Sequence, residues 1–126
     1  MLYAIFCYND ESMTTSWSQA EDEACMVRLR AVQDPLVKAG KLGPVARLLP
    51  TTSATTLRKT KDEPIVVDGP FAETKEQLLG FYVVDVASLD EVLDIARGLT
   101  KANPSGGAYE IRPMQIFDPG APIAAL

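Results

Sequence analysis

A chain of 126 residues with 47% apolar side chains is sized for one domain around one core, which excludes wholesale disorder. Its net charge of −5 argues against nucleic acid or an anionic membrane surface as the main partner, and the short run Arg58, Lys59, Lys61 does not reverse this. With no histidine and two cysteines, a Ser–His–Asp triad is ruled out and a zinc site disfavoured, so the expectation is no metal and no cofactor.

In chain order, Leu2, Tyr3, Ile5, Phe6 and Tyr8 predict a strand over residues 2–8. The opening "MLYAIFCY" has no basic lead-in and runs straight into Asn9, Asp10 and Glu11, so it reads as a strand and not a signal peptide. No segment reaches the roughly 20 apolar residues that a bilayer span needs. The expected location is the cytoplasm, with Cys7 and Cys25 as reduced, inert, buried thiols. Residues 9–15 predict a polar loop. A helix follows, opened by Ser16 with Gln19 or by Ser18 with Glu21, either of which makes a capping box. Ala24, Cys25, Leu29, Val32 and Leu36 form its apolar stripe. Pro35 is expected to kink it or end its regular part, and Gly40 to stop it.

Residues 42–49 predict a second strand, irregular at Gly43 and Pro44. "TTSATTLRKTKDEPIVVDG" reads as a hairpin with arms "ATTLRKT" and "PIVVD" and a tip at Lys61 to Glu63. "LLGFYVVDVA" is the strongest strand pattern. Ser88 opens the second helix, with Glu91 completing another capping box and Leu89, Val92, Leu93, Ala96 and Leu99 as its stripe. "AYEIRPMQIF" is the last strand. The domain therefore spans residues 1–117, with a loose tail over 118–126. The order strand, helix, strand, hairpin, strand, helix, strand predicts an α+β fold, a ferredoxin-like βαββαβ plait with an inserted hairpin.

The strands are short of polar faces. Leu2, Ala4, Phe6 and Tyr8 oppose Tyr3, Ile5 and Cys7, and the strand at 78–87 is mostly apolar on both sides. In this topology both helices lie on one face, so the other needs a cover. Leaving it wet at ~25 cal/mol per Å2 would cost many kcal/mol. A homodimer packed face to face is the expected cover, with a cavity between the sheets or at their rim. A monomer roofed by its own hairpin and tail is the alternative.

The stretch "DGPFAETKEQLLGFY" from Asp68 to Tyr82 carries two readings. In one it is a turn. Gly69 gives backbone freedom before Pro70, Pro70 starts a short helical turn through residues 71–77, and Asp68 caps Phe71 or Ala72. In the other, Asp68 sits beside a cavity with Pro70 and Phe71 as a dry wall. Desolvation then raises its pKa and makes it a candidate general acid or base, opposed by Lys75. Arg112 is a candidate bidentate anchor for an anionic ligand, or a partner of Glu110, Asp85 or Glu73. Tyr8, Tyr82 and Tyr109 are candidate cavity walls or ordinary core aromatics.

The run "DGPFAETKEQLLGFYVVDVASLDEVLDIA", with "LVKAGKLG", "SATTLR" and "EIRPM", closely resembles the DGPF-type subgroup of the YCII-related proteins across residues 1–117. The resemblance implies a dimeric α+β barrel and a small-molecule pocket at the dimer interface. The wider group's histidine–aspartate pair implies an enzyme, but this chain has no histidine and only Asp68 aligns with that motif. The resemblance also implies a regulatory setting beside an extracytoplasmic-function sigma factor. The rival to an enzyme is thus a non-catalytic ligand sensor or regulatory module.

Overall fold

A computed structural model describes residues 1–125. The elements run β1 (Leu2–Asn9), α1 (Glu11–Thr15), α2 (Gln19–Lys38), β2 (Leu42–Arg47), β3 (Thr55–Arg58), β4 (Ile65–Asp68), β5 (Gln77–Asp85), α3 (Leu89–Ala102) and β6 (Ala108–Pro113). Four strands form one antiparallel sheet in the order β2-β5-β1-β6, and β3 pairs only with β4 in a separate ribbon. The sheet order and the α2 and α3 crossovers are those of the ferredoxin-like plait, with the ribbon inserted between β2 and β5.

The core lies between the sheet and helices α2 and α3. Tyr3 and Ile5 of β1 and Tyr82 and Val84 of β5 meet Cys25 and Leu29 of α2 and Val92 and Leu99 of α3. Odd positions of β1 and even positions of β5 therefore face the helices. The opposite face carries Ala4, Phe6, Tyr8, Phe81 and Val83. Ala4 and Val83 are buried by their neighbours, whereas Phe6, Tyr8 and Phe81 are only half-buried. Among the described residues, no helix is long and apolar enough to cross a membrane.

The caps explain where the helices start. Ser18 accepts from the Glu21 backbone N–H at 3.1 Å and Glu21 reaches back to the Ser18 N–H, so the frame at Ser18 prevails over that at Ser16. Pro35 does not end the helix at once. Helix α2 continues to Lys38 and closes at Gly40, whose φ of +70° suits glycine. The Ser88 box is half made. Ser88 accepts from the Glu91 N–H, but the Glu91 carboxylate takes the Ala87 N–H and the Lys41 ammonium instead of the Ser88 N–H.

Other expectations are corrected. Residues 11–15 are helical and not a loop, because the Asp10 side chain accepts from the Ser12 N–H and caps the turn. Ala24 and Leu89 are exposed, and Met26 and Gln33 turn inward in α2 instead. The last strand ends at Pro113 and not at Phe117. No helical turn follows Pro70. There the Gly69 N–H donates to the Ala54 carbonyl, the Thr56 hydroxyl to the Gly69 carbonyl, and Arg58 to the Phe71 carbonyl. These bonds to β3 and its flanks hold the turn extended. Gly69 has a φ of +101°, which a side chain would disfavour.

Candidate functional site

The pairing registers across the sheet place Arg47, Gly80, Cys7 and Tyr109 in one row on the helix side. The next row holds Val45, Tyr82, Ile5 and Ile111. In the first row the two central strands contribute only a glycine and a cysteine. Gly80 has no room for anything larger, since a Cβ there would lie 2.2 Å from the Ala46 carbonyl oxygen. Two small residues between two large ones leave a hollow. Trp17, Cys25, Met26 and Leu29 roof it from the helix side.

The result is a pocket of about 120 Å3 with a mostly apolar wall. An apolar cavity of roughly 150 Å3 holds one benzene ring, so the space fits a single-ring molecule with slight adjustment. Its polar groups are few: the Tyr82 and Tyr109 hydroxyls, the Gln33 and Asn103 amides, Thr14, and the Arg47 guanidinium. Arg47 reaches Asp22 of α2 through both terminal nitrogens, at 2.7 and 3.2 Å. Thr14, Arg47 and Leu79 also line a neighbouring hollow of about 380 Å3 that includes Glu11 and Asp22.

Burial sets the protonation of the interior groups. It pushes the Cys7 thiol up to about 12, which leaves it neutral and a poor nucleophile. Burial, helped by neighbouring Cys7, also raises Tyr82, with the Gln33 side chain acting against the shift. Tyr109 is raised by burial first and then by Cys7 and Tyr82. Both phenols therefore stay neutral and can donate or accept a hydrogen bond. At the mouth, the Arg47 bond holds the Asp22 carboxyl below its ordinary value.

Of the residues that the sequence marks as site candidates, Tyr82 and Tyr109 come together in the pocket beneath α2, and the others do not reach it. Tyr8 and Arg112 lie on the opposite face, where Arg112 bonds Glu110 at 3.0 Å and stands 5.9 Å from the Phe6 ring centroid. Asp68 and Phe71 are exposed on the ribbon. Among the described residues nothing donates a hydrogen bond to the Asp68 side chain, so Asp68 does not cap Phe71 or Ala72. Phe71 lies under the Arg58 guanidinium, 5.8 Å from its ring centroid. A surface hollow of about 380 Å3 does adjoin the turn, lined by Gly69, Pro70 and Glu73, but Asp68 is not on its wall. Arg47, Gln33 and Trp17 are the pocket residues that sequence reasoning missed. Among the described residues, no cluster of three or more acidic or thiol groups is placed to hold a metal.

The model of the YCII-related domain matches residues 1–118. An uncharacterized protein of Rhizobium meliloti (strain 1021) is 66% identical over 120 residues, covering 95% of this chain and 97% of that protein. Among solved structures, the chain resembles the 5-chloro-2-hydroxyhydroquinone dehydrochlorinase of Burkholderia phenoliruptrix AC1100 in complex with 2,5-dihydroxybenzoquinone. The TM-score is 0.50 and the identity 19%, over 91% of this chain and 94% of that one, a likeness of fold.

Proposed function

The chain belongs to the YCII-related domain family, and on that premise we propose that it is a DGPF-type member that binds one small single-ring organic molecule beneath helix α2 and works as a homodimer. The observation that carries this reading is the row Arg47–Gly80–Cys7–Tyr109. It builds an apolar slot with a few convergent polar groups, the usual character of a small-molecule site. The fold neighbour is complexed with a six-membered quinone ring, which guides the choice of probes.

The homodimer rests on the second sheet face. Phe6, Tyr8 and Phe81 lie half-buried there, while the apolar side chains of the ribbon and Ile116 and Ile123 of the tail point to solvent and do not roof it. A second copy covers such a face at no cost in new sequence. The ribbon favours a second reading of chemistry. If a partner copy buries it, the Asp68 carboxylate is brought into a contact between copies, where it could meet a ligand held there. Nothing in the pocket or the faces bears on a sigma-factor partner.

A thermal-shift panel of monocyclic phenols and hydroxylated quinones tests the site. A ligand at 100 times its dissociation constant adds about 2.7 kcal/mol, which raises the melting temperature by several degrees. Cys7→Leu, which fills the slot from its floor, is expected to abolish the shift while the variant still melts cooperatively. A shift that persists in Cys7→Leu would place the ligand elsewhere.

A further inference from the structure

We propose that Arg47 selects the ligand of this pocket, and that the ligand class is a single aromatic ring bearing one anionic oxygen group, a carboxylate or a phenolate. The inference rests on the pocket reading above and adds its charge.

Among the described residues, Arg47 is the only charged side chain on the pocket wall. Its partner Asp22 lines the neighbouring hollow and not the pocket, whereas Arg47 lines both. The bonds to Asp22 use the two terminal nitrogens. A guanidinium carries five N–H donors, and the Nε–H makes no bond among the described residues. The Arg47 side chain is 52% exposed and lines both hollows, so its unused donors and positive charge stand at the border of an otherwise uncharged, mostly apolar space. Arginine suits planar oxyanions because its fork matches their geometry.

The rest of the slot fits the same ligand. Arg47 and Tyr109 stand at opposite ends of a row spanning three strand spacings, roughly 14 Å in all. A ring over Gly80 and Cys7 would direct its oxyanion to Arg47 and leave its far edge toward the Tyr109 hydroxyl. Asp22 opposes this binding, since its charge competes for the same cation across the wall. That competition gives the proposal a sign that a structural ion pair lacks: removing Asp22 should help the ligand.

The test uses benzoate and benzamide, an anion and a neutral molecule of nearly the same shape. Their binding is measured by titration calorimetry to the native chain, Arg47→Gln, Arg47→Lys and Asp22→Asn. The native chain is expected to bind benzoate more tightly than benzamide. Arg47→Gln should weaken benzoate about tenfold or more and change benzamide by less than about twofold, because only the anion loses a charge-assisted bond. Arg47→Lys should recover part of the preference. Asp22→Asn should tighten benzoate, a gain that damage to the fold cannot imitate.

Equal weakening of both probes in Arg47→Gln would overturn the role of Arg47, as would equal affinity of the native chain for the two. Weaker benzoate binding in Asp22→Asn would do the same. Failure of both probes to bind the native chain would instead sink the pocket reading, and this inference with it.

Discussion

The four-stranded sheet and the β3–β4 ribbon draw on the same kinds of residue and reach opposite states. Ile5 of β1 and Val84 of β5 are 0% exposed, whereas Leu57, Ile65, Val66 and Val67 are 43% to 66% exposed. Valine and isoleucine favour extended backbone in both places. In the sheet, two helices supply the packing that turns this preference into a core. In the ribbon no other element among the described residues does so, and an isolated two-stranded hairpin is marginally stable at best. Strand propensity thus sets the local shape, and burial alone separates a core from a surface in need of a cover.

The largest expected effect tests the core side of this contrast. Leu99→Ala should cost about 2–5 kcal/mol in urea denaturation, because it opens a cavity among fully buried neighbours. The same truncation at Val66 should cost less than about 0.5 kcal/mol at concentrations low enough to keep the chain monomeric. Equal shifts in the two variants would break the contrast.

The next effect sharpens the ribbon side. Val66→Asp should leave the helical circular dichroism unchanged. In the homodimer reading it should also move the sedimentation boundary from dimer toward monomer, since a charge would be forced into an apolar contact. A boundary unmoved by this change would leave the ribbon outside any interface between copies.

The smallest effect is a pH dependence confined to the helix-covered half. Cys7, pushed up to about 12, keeps its proton in the folded chain across a window where an ordinary cysteine, near 8.5, has lost it. In that window the unfolded chain binds fewer protons than the folded one, so stability falls as pH rises from about 8.5 toward 12. Raised Tyr82 and Tyr109 add to the fall above about 10. Cys7→Ala should remove the part of the decline that begins near 8.5 in thermal melts. A decline unchanged by Cys7→Ala would show that the thiol does not drive it.

Much of the architecture was legible in the residues. The β-forming residues of β1, the apolar run of β5, capping serines at 18 and 88, and a hairpin pattern between them sufficed for the plait and its insertion. Helix α1 was missed although Asp10 and Glu11 carried its signal, because five residues are too few for an apolar period to show. The extended turn at Pro70 was missed because its cause is not local: Thr56 and Arg58, some thirteen residues earlier, hold it open. The pocket was illegible for a stronger reason. It arises from one residue on each of four strands, and only the register brings Arg47, Gly80, Cys7 and Tyr109 into line. The bulges between Leu42 and Val45 and between Cys7 and Tyr8 shift that register where sequence alternation alone would misplace it. Asp68 was conspicuous for its place in a rare motif, and conspicuousness does not report what surrounds a side chain.

The two outermost strands of the sheet, β2 and β6, each contain a proline, Pro44 and Pro113. Proline brings no backbone donor, and β2 is further buckled by its bulge. Newcomers therefore find poor templates along either rim, and fibre-like stacking of sheet onto sheet edge is discouraged from both sides. In the homodimer reading the meeting surface is the broad flank of the sheet, and an isologous contact of that kind ends with a closed pair instead of running on into a polymer.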